Sequence, residues 1–132
     1  MQLKRDTEYA LRILFTVAGA TDPRGTTRTE IRNRSGLPRA GVNRICDRLE
    51  SAGLITCRRE DNGEGVYAAA AHLFRKSLLD VICAVEQGVP LFAVFEKGSA
   101  FFSQNESRLT TLQGKVEALL DEEKLGDYFS RE

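Results

Sequence analysis

The feature that most constrains the fold of this sequence is a pair of short helix signals separated by a tight turn. Residues 27–30, Thr-Arg-Thr-Glu, have the S/T-x-x-E form of a capping box, which predicts that a helix begins there. Gly36 suits the left-handed cap that ends such a helix. Pro38 suits the first position of a second helix, which Gly53 ends. Two helices joined by a turn of about three to four residues that contains glycine are typical of a helix-turn-helix.

A β-hairpin is predicted directly after the second helix. Residues 54–57 and residues 66–67 are short runs rich in β-branched and aromatic side chains, and the segment 58–65 between them is polar or glycine. A helix-turn-helix followed by a hairpin predicts a winged helix. In that fold one helix enters the major groove of DNA, and the hairpin reaches a flanking groove or the backbone.

Charge is divided between the two halves of the chain. Residues 1–60 carry 12 basic and 7 acidic side chains, a net charge of +5, whereas residues 61–132 carry 7 basic and 12 acidic side chains, a net charge of −5. Nine arginines and no lysine lie within residues 24–59. Arginine suits phosphates and guanine edges better than lysine does. Most charge runs are only solvated surface, but within a winged helix this segment is predicted to contact DNA.

Further helices are predicted on both sides of the winged helix. The first, over residues 3–20, is apolar around nearly its whole circumference from residue 9 onward, which predicts contact with a partner subunit. Another is expected over residues 73–85. A last helix over about residues 106–123 carries an apolar stripe, predicted to pair with the first helix and with its own copy across a two-fold axis. The stripe consists of Leu109, Leu112, Val116, Leu119 and Leu120.

The predicted fold class is therefore mainly α with a small β-hairpin. Residues 1–88 are expected to form a winged-helix DNA-binding domain whose first helix also contacts the partner subunit. Residues 89–132 are expected to form a linker and a dimerisation helix with a C-terminal tail.

Composition excludes several classes of protein. With 132 residues, 42% hydrophobic and 29% charged, the chain is typical of one soluble domain. No apolar stretch approaches the roughly 18 residues of a membrane span, so we expect no membrane contact and a cytoplasmic, nucleoid-associated location in bacteria. No catalytic triad, carboxylate pair or phosphate-binding glycine loop is present, so neither an enzyme nor a cofactor is predicted. The three cysteines lack CxxC spacing, and His72 is the only histidine, so no metal site is expected.

Several strings resemble the Rrf-two family of bacterial winged-helix regulators, which includes the IscR, NsrR and CymR groups. The most specific are A-G-L-I at residues 52–55 and L-L-D-V-I-C-A-V-E at residues 78–86, and similar strings lie at residues 7–14, 29–37 and 124–129. The resemblance implies a homodimer with a long crossed dimerisation helix that binds an imperfect palindrome and usually represses transcription.

The sequence departs from the family at three places. Iron-sulfur members carry three cysteines between the A-V-E helix and the dimerisation helix, whereas residues 87–105 here contain none, so we predict no cluster. The wing, with only Gly63 and Gly65 between Arg59 and Tyr67, is two residues longer than the usual glycine-rich turn. Gly41 stands where a bulky residue, often Tyr, is usual, so the operator need not match a known one.

Candidate DNA contacts follow from the second helix and the wing. Base reading is predicted for Arg39, Ala40, Asn43 and Arg44, with Arg39 pairing with guanine and Asn43 with adenine. Contacts with the DNA backbone or through the wing are predicted for Arg28, Arg59, Asn62, Gly63, Lys4 and Arg5. Arg59 is favoured over Arg58 because alternate strand positions face opposite sides. Arg48 is expected to be structural and to pair with Asp47 or Glu50.

Two further groups of residues have open interpretations. Cys46 and Cys83 are predicted to be small buried core residues, while Cys57 on the wing strand is the best candidate for a thiol sensor. An irregular apolar patch within residues 91–102 is either part of a dimer or domain core or a pocket for a small-molecule effector. Its phenylalanines are Phe92, Phe95, Phe101 and Phe102.

The sequence thus predicts a homodimeric, cluster-free regulator that acts as a repressor and binds a palindromic operator in double-stranded DNA. The alternative is a protein-interaction or effector-sensing module that regulates a partner enzyme, with weak or no DNA binding.

Overall fold

The computed structural model describes residues 5–20, 22–86 and 98–129 of the chain. Its regular elements are α1 (Arg5–Ala18), β1 (Thr26–Thr27), α2 (Arg28–Ser35), α3 (Arg39–Ser51), β2 (Ile55–Arg59), β3 (Gly65–Ala69), a 3₁₀ turn (Leu73–Arg75), α4 (Leu78–Glu86), α5 (Ala100–Glu122) and α6 (Leu125–Phe129). The fold is mainly helical with a small sheet, and it is a winged helix, as the sequence predicts.

The helix-turn-helix forms because both ends of α2 are capped by local chemistry. The Thr27 hydroxyl accepts a hydrogen bond from the Glu30 backbone N–H at 3.2 Å, and the Glu30 carboxylate accepts one from the Thr27 N–H at 3.4 Å. Gly36 ends the helix with φ at 74°, in the left-handed region that favours glycine. The predicted capping box and glycine cap are therefore confirmed. They fix the turn that leads into α3, which we call the recognition helix.

The wing is part of a three-stranded antiparallel sheet with strand order β1-β3-β2. Cys57 on β2 lies opposite Tyr67 on β3, and Arg59 lies opposite Gly65 at the base of the wing turn. The two-residue strand β1 pairs Thr26 with Tyr67. The hairpin is confirmed, whereas β1 has no sequence signal of its own because two residues are too few to show an alternating pattern.

A single core lies between α1 and the winged helix. α1 contacts α2, α3, α4 and β3, and its Ile13 and Leu14 are fully buried, as are Ile31 of α2 and Ile45 and Leu49 of α3. The outer side of α1 stays open, because Phe15 is 60% exposed. Its ring contacts Phe129 of α6 edge to face, with the centroids 6.0 Å apart.

The segment predicted as one helix over residues 73–85 is divided in two. The 3₁₀ turn ends at Arg75, and α4 begins only after the fully buried Ser77. The Ser77 hydroxyl accepts a hydrogen bond from the Asp80 N–H at 3.2 Å, and the Asp80 carboxylate accepts one from the Ser77 N–H at 2.9 Å. This reciprocal pair starts a new helix, which explains why the earlier turn does not continue into α4.

α5 is longer than predicted. It begins at Ala100, where the Ser99 hydroxyl accepts a hydrogen bond from the Phe102 N–H, rather than near residue 106. Phe101 and Phe102 therefore belong to its first turn and not to an irregular patch. None of its 23 residues is buried.

The C-terminal end of α5 is tied to the start of α4. The Leu78 N–H donates to the Glu123 carbonyl at 2.9 Å, and the Leu125 N–H donates to the Lys76 carbonyl at 2.8 Å. α6 follows at once and buries Leu125 and Phe129. The direction of α5 is thus fixed at this end by backbone hydrogen bonds. Among the described helices, none combines the length and the hydropathy that a membrane-spanning segment needs.

Candidate nucleic-acid interface

A groove of about 380 Å³ lies between the helix-turn-helix and the wing. Three guanidinium groups and one amide contribute to its wall, together with one carboxylate. The lining side chains that carry polar chemistry are Arg28, Thr29, Arg32, Arg39, Asn43 and Glu64. The groove is therefore a strongly basic surface whose hydrogen-bonding groups come from α2, α3 and the base of the wing.

The beginning of the recognition helix faces solvent. Arg39 and Ala40 are exposed, and Asn43 one turn later is half-buried. Within the described ranges the Arg39 guanidinium has no ion pair and no side-chain hydrogen bond. Pro38, which precedes the helix, makes no side-chain capping bond. The positive end of the helix dipole and an unpaired guanidinium therefore lie side by side.

Arg28 connects three elements at the back of this groove. Its Nε donates to the Tyr67 hydroxyl at 2.6 Å, its Nη1 to the Asn43 carbonyl oxygen Oδ1 at 3.2 Å, and its Nη2 to the Asp47 carboxylate at 2.5 Å. The guanidinium carbon also lies 5.3 Å from the centre of the Tyr67 ring. Arg28 thus joins α2 to the recognition helix and to the wing strand β3.

These contacts shift the pKa values of both partners. Burial lowers the pKa of Arg28, but hydrogen bonds to Asp47 and Tyr67 together outweigh it, so its pKa lies above the ordinary value. Burial raises the pKa of Tyr67 to about 12, although the hydrogen bond from Arg28 opposes the shift. At neutral pH Arg28 is therefore charged and Tyr67 neutral, and their hydrogen bond persists.

Arg44 and Arg48 are both paired with α1. Arg44 donates to Asp6 at 2.6 Å, and Arg48 donates to the other oxygen of Asp6 at 3.2 Å and to the Val85 carbonyl at 2.7 Å. The prediction that Arg48 is structural fits these bonds, but the expected partners Asp47 and Glu50 are wrong. Asp47 and Glu50 are neighbours of Arg48 on its own helix, whereas its observed partners lie on α1 and α4.

The wing tip is a turn closed by its own hydrogen bonds. Gly63 has φ at 84°, and the Asn62 side-chain oxygen accepts from the Glu64 N–H at 2.9 Å. Arg59 donates to the Gly63 carbonyl at 3.1 Å. Arg58 donates to the Arg24 carbonyl and to Glu60, both at 3.1 Å. Both arginines are exposed, and each is held by a neighbour within or beside the wing.

A second cleft of about 500 Å³ lies beside the wing and is acidic. Arg24 is its only lining side chain with a positive charge among the described residues. Its carboxylates are Asp22, Glu30, Glu60, Asp61 and Glu64. The wing therefore separates a basic groove from an acidic cleft.

The predicted site residues are only partly gathered around the basic groove. Arg28, Arg39 and Asn43 line it, whereas Arg44, directly after Asn43, is paired with Asp6 outside the groove. Arg5 is exposed at the start of α1. Lys4 lies outside the described residues. Sequence reasoning missed Arg32, which lines the groove, and Tyr67, which holds Arg28. The arginine-rich composition of α2 was the available signal for Arg32.

Comparison with known proteins agrees with this architecture. The profile of the Rrf2 family, described as iron-dependent transcriptional regulators, matches residues 3–130. The chain belongs to the Rrf2 family. No curated protein sequence matches it.

Solved structures of the family are similar in fold. CymR (YrzC), the global cysteine regulator of B. subtilis, aligns with a TM-score of 0.73 at 19% identity and covers 98% of this chain and 96% of its own. IscR of T. potens gives 0.68 at 20% identity, covering 97% and 85%. The oxidized form of S. aureus CymR gives 0.70 at 19% identity, covering 100% and 98%. At these identities the likeness concerns the fold alone.

The described residues of this Rrf2 chain do not form a site for the iron of the family description. In the described ranges no group of three or more His, Cys, Asp or Glu side chains is placed to hold a metal ion. Cys46 is buried in α3, Cys57 lies on β2, and Cys83 is exposed on α4. The chain thus offers no clustered thiolates among the residues described.

Cys83 corrects one prediction. It was expected in the core because it lies within an apolar string, but it is exposed on the outer side of α4. Cys46 is buried as predicted, and burial raises the pKa of its thiol to about 11. Cys57 is half-buried, and its role as a thiol sensor stays a prediction.

Gly41 does not lie on the side of the recognition helix that faces the groove. It is buried on the side of the recognition helix that faces α1. A Cβ atom at this position would lie 3.1 Å from a ring carbon of Tyr9. Because Gly41 is turned away from the groove, its difference from the usual bulky residue concerns helix packing and not base contact.

The leucines and the valine of the predicted dimerisation stripe on α5 differ in their exposure. Leu109, Val116 and Leu120 are half-buried, whereas Leu112 is 47% and Leu119 is 64% exposed. A second apolar surface lies on the outer side of α1, in a groove of about 390 Å³ lined by Leu11, Phe15, Leu78, Tyr128 and Phe129. Of the predicted effector pocket, Phe92 and Phe95 lie outside the described residues, while Phe101 is exposed and Phe102 half-buried on α5. The effector pocket stays a prediction.

Proposed function

We propose that this Rrf2 protein is a homodimeric, cluster-free repressor that binds a palindromic DNA operator. The observation that carries the proposal is the basic groove between the recognition helix and the wing, lined by Arg28, Arg32, Arg39 and Asn43. Guanidinium and amide groups are the side chains that pair bidentately with base edges in the major groove. Arg39 and Asn43 lie in the first two turns of α3, the part of a recognition helix that contacts bases.

Each predicted contact has a separate role in this proposal. Arg39, exposed and unpaired among the described residues, pairs with guanine, and Ala40 lets the helix approach the base edges closely. Asn43 reads a base one turn later. Arg44 contacts a base edge or a phosphate beside Asn43, and Arg5 and Lys4 contact phosphates. Arg59, Asn62 and Gly63 place the wing against the backbone.

The homodimer is supported by the apolar surfaces that stay exposed in one chain. Leu112 and Leu119 are two helical turns apart on α5, so they lie on the same face. We propose that this face, with Leu109, Val116 and Leu120 beside it, packs against its own copy and against the groove beside Phe15. A two-fold dimer then presents two recognition helices to half-sites about 34–36 Å apart.

The absence of a cluster is supported by the positions of the three cysteines on separate elements. The purified protein is expected to bind its operator when it contains no iron and no acid-labile sulfide. Iron and sulfide analysis, combined with a DNA-binding assay in the presence of a chelator, tests this. Loss of operator binding on chelation would overturn the cluster-free part of the proposal.

The DNA-binding part is tested by a salt titration on an operator selected from a randomised library. We expect log K to fall linearly with log salt, with a slope steeper than about −4, since several phosphates are neutralised by each dimer. A slope near zero, or no sequence preference, would contradict the proposal. Arg39→Ala combined with Asn43→Ala should abolish operator selectivity while leaving the dimer intact.

A second candidate function is a protein-interaction module that regulates a partner enzyme. The acidic cleft beside the wing favours it, because Glu60, Asp61 and Glu64 would repel phosphates at the wing tip. The same double variant distinguishes the two functions. If the wild type and the double variant bind DNA equally weakly and without sequence preference, the interaction module becomes the better explanation.

A further inference from the structure

The Asn43 side chain does not act alone, because its amide is bonded to Arg28. The guanidinium of Arg28 lies on α2, and its Nη1 donates to Asn43 Oδ1 at 3.2 Å. The same guanidinium is held from two other directions, by the Tyr67 hydroxyl at 2.6 Å and by the Asp47 carboxylate at 2.5 Å. With three acceptors on two further elements, the guanidinium has little freedom to rotate.

This bond determines how the Asn43 amide is oriented. An amide carries one carbonyl oxygen, which accepts hydrogen bonds, and one NH₂ group, which donates them. A guanidinium has only donors. The atom of Asn43 that faces Arg28 must therefore be the oxygen, and the NH₂ group is turned away from Arg28. Since Asn43 lines the basic groove, its exposed function is that of a donor.

Bases differ in what they require from such a side chain. Guanine presents two acceptors in the major groove, N7 and O6, whereas adenine presents the acceptor N7 and the donor N6–H₂. Pairing with adenine therefore needs a free amide oxygen beside the NH₂ group. In this chain one of the two lone pairs of that oxygen already accepts from the Arg28 cation, and this cation repels the positive edge of the adenine amino group.

Resting on the proposed function, we propose that Arg28 is a positioning residue that makes Asn43 select guanine over adenine at the base pair it faces. The sequence predicts that Asn43 pairs with adenine, and this proposal replaces that contact with one to guanine. Tyr67 and Asp47 support the selection indirectly, because they hold Arg28 in place. The wing strand thus contributes to base selection without contacting the base itself.

Selection from a randomised DNA library tests this with four variants beside the wild type. Asn43→Ala identifies the base pair in each half-site that depends on Asn43. Arg28→Met removes every donor while it keeps an unbranched chain over the Tyr67 ring. Asp47→Asn weakens the hold on Arg28, and since the Asp47 side chain is 68% exposed, this variant should keep the fold. Arg34→Met on the same helix is the matched control for loss of charge, because Arg34 does not line the groove.

At the base pair identified by Asn43→Ala, the wild type should prefer guanine over adenine by about tenfold. Arg28→Met should bring this ratio close to one, Asp47→Asn should lower it, and Arg34→Met should leave it unchanged. Preferences at the other base pairs should persist in all three.

Two results would overturn the inference while the proposed function stands: a wild-type preference for adenine at this pair, or an unchanged guanine preference in Arg28→Met. If Arg28→Met does not fold, an unchanged ratio in Asp47→Asn has the same meaning. If the wild type enriches no sequence, the proposed function itself fails, and the inference fails with it.

Discussion

Gly41 sets the distance between the recognition helix and α1. A Cβ at this position would lie 3.1 Å from the Tyr9 ring, which is closer than side chains normally pack. Gly41→Leu is therefore expected to lower the free energy of unfolding by about 1–3 kcal/mol, because the added atoms force the two helices apart. Urea denaturation measures the change. Ala40→Leu, at the exposed neighbouring position, is the matched control and should change stability by less than about 0.5 kcal/mol. Equal stability of the two variants would contradict this packing.

The buried thiol of Cys46 makes stability depend on alkaline pH. Burial raises its pKa from 9.0 to about 11 in the folded chain. The thiol is neutral in the folded state, so its contribution is complete below about pH 9 and is lost as pH rises through about 11. The loss is on the order of 1–3 kcal/mol. Urea denaturation between pH 8 and 10.5 should show a smaller decline for Cys46→Ala, although this variant starts from a lower stability. Parallel declines in the two proteins would show that Cys46 does not carry the effect.

At the scale of single elements, α2 depends on its capping box more than on its packing, because Ile31 is its only buried residue. Thr27→Ala removes the hydroxyl that accepts from the Glu30 N–H and should cost about 1 kcal/mol of stability. Thr29→Ala, two residues later and exposed, should cost less than about 0.5 kcal/mol. Thermal unfolding followed by circular dichroism compares them. A loss that is no larger in Thr27→Ala than in Thr29→Ala would rule out the cap as the main stabilising contact of α2.

The elements that could be predicted from sequence are those whose ends are set by local chemistry. Thr27, Gly36 and Gly53 mark the helix-turn-helix because a cap or a left-handed turn needs particular residue types. The break between the 3₁₀ turn and α4 was missed, since Ser77 and Asp80 look like any polar pair within an amphipathic pattern. The early start of α5 was missed for a similar reason, because Ser99 lies next to a run of phenylalanines that resembles an irregular core.

The contacts that organise the candidate site could not be predicted from the sequence. Arg28 meets Tyr67 across 39 residues and Asp47 across 19, and Arg48 meets Asp6 across 42. Such pairs depend on how α1, α2 and β3 pack around the recognition helix. Helical spacing predicts which side of α3 is polar, and that was sufficient to name Arg39 and Asn43. It cannot indicate which arginines are held by carboxylates on other elements.

At the scale of the whole molecule, the two oppositely charged halves occupy different parts of the fold. Eight of the nine arginines of residues 24–59 lie on α2, α3 and β2, while α5 and α6 carry five of the twelve acidic side chains of residues 61–132. The backbone bonds from Lys76 and Leu78 to the end of α5 hold the acidic helix on the body of the protein. A two-fold dimer through α5 would therefore keep its negative charge near the axis and its positive faces at the outside, where they suit two half-sites of DNA.

In the proposed dimer, tight operator binding would require both recognition helices. Leu112→Asp combined with Leu119→Asp places two charges on the exposed face of α5 and should convert the dimer to a monomer at micromolar concentration. Sedimentation equilibrium measures the state. Because one chain then contacts only one half-site, operator affinity should fall at least about a hundredfold, since the second half-site no longer binds as part of the same molecule.

Thr110→Asp, an exposed polar position of the same helix, is the matched control and should leave both mass and affinity unchanged. A double variant that stays dimeric would exclude this face as the interface, and a monomeric variant with undiminished affinity would show that one recognition helix is sufficient.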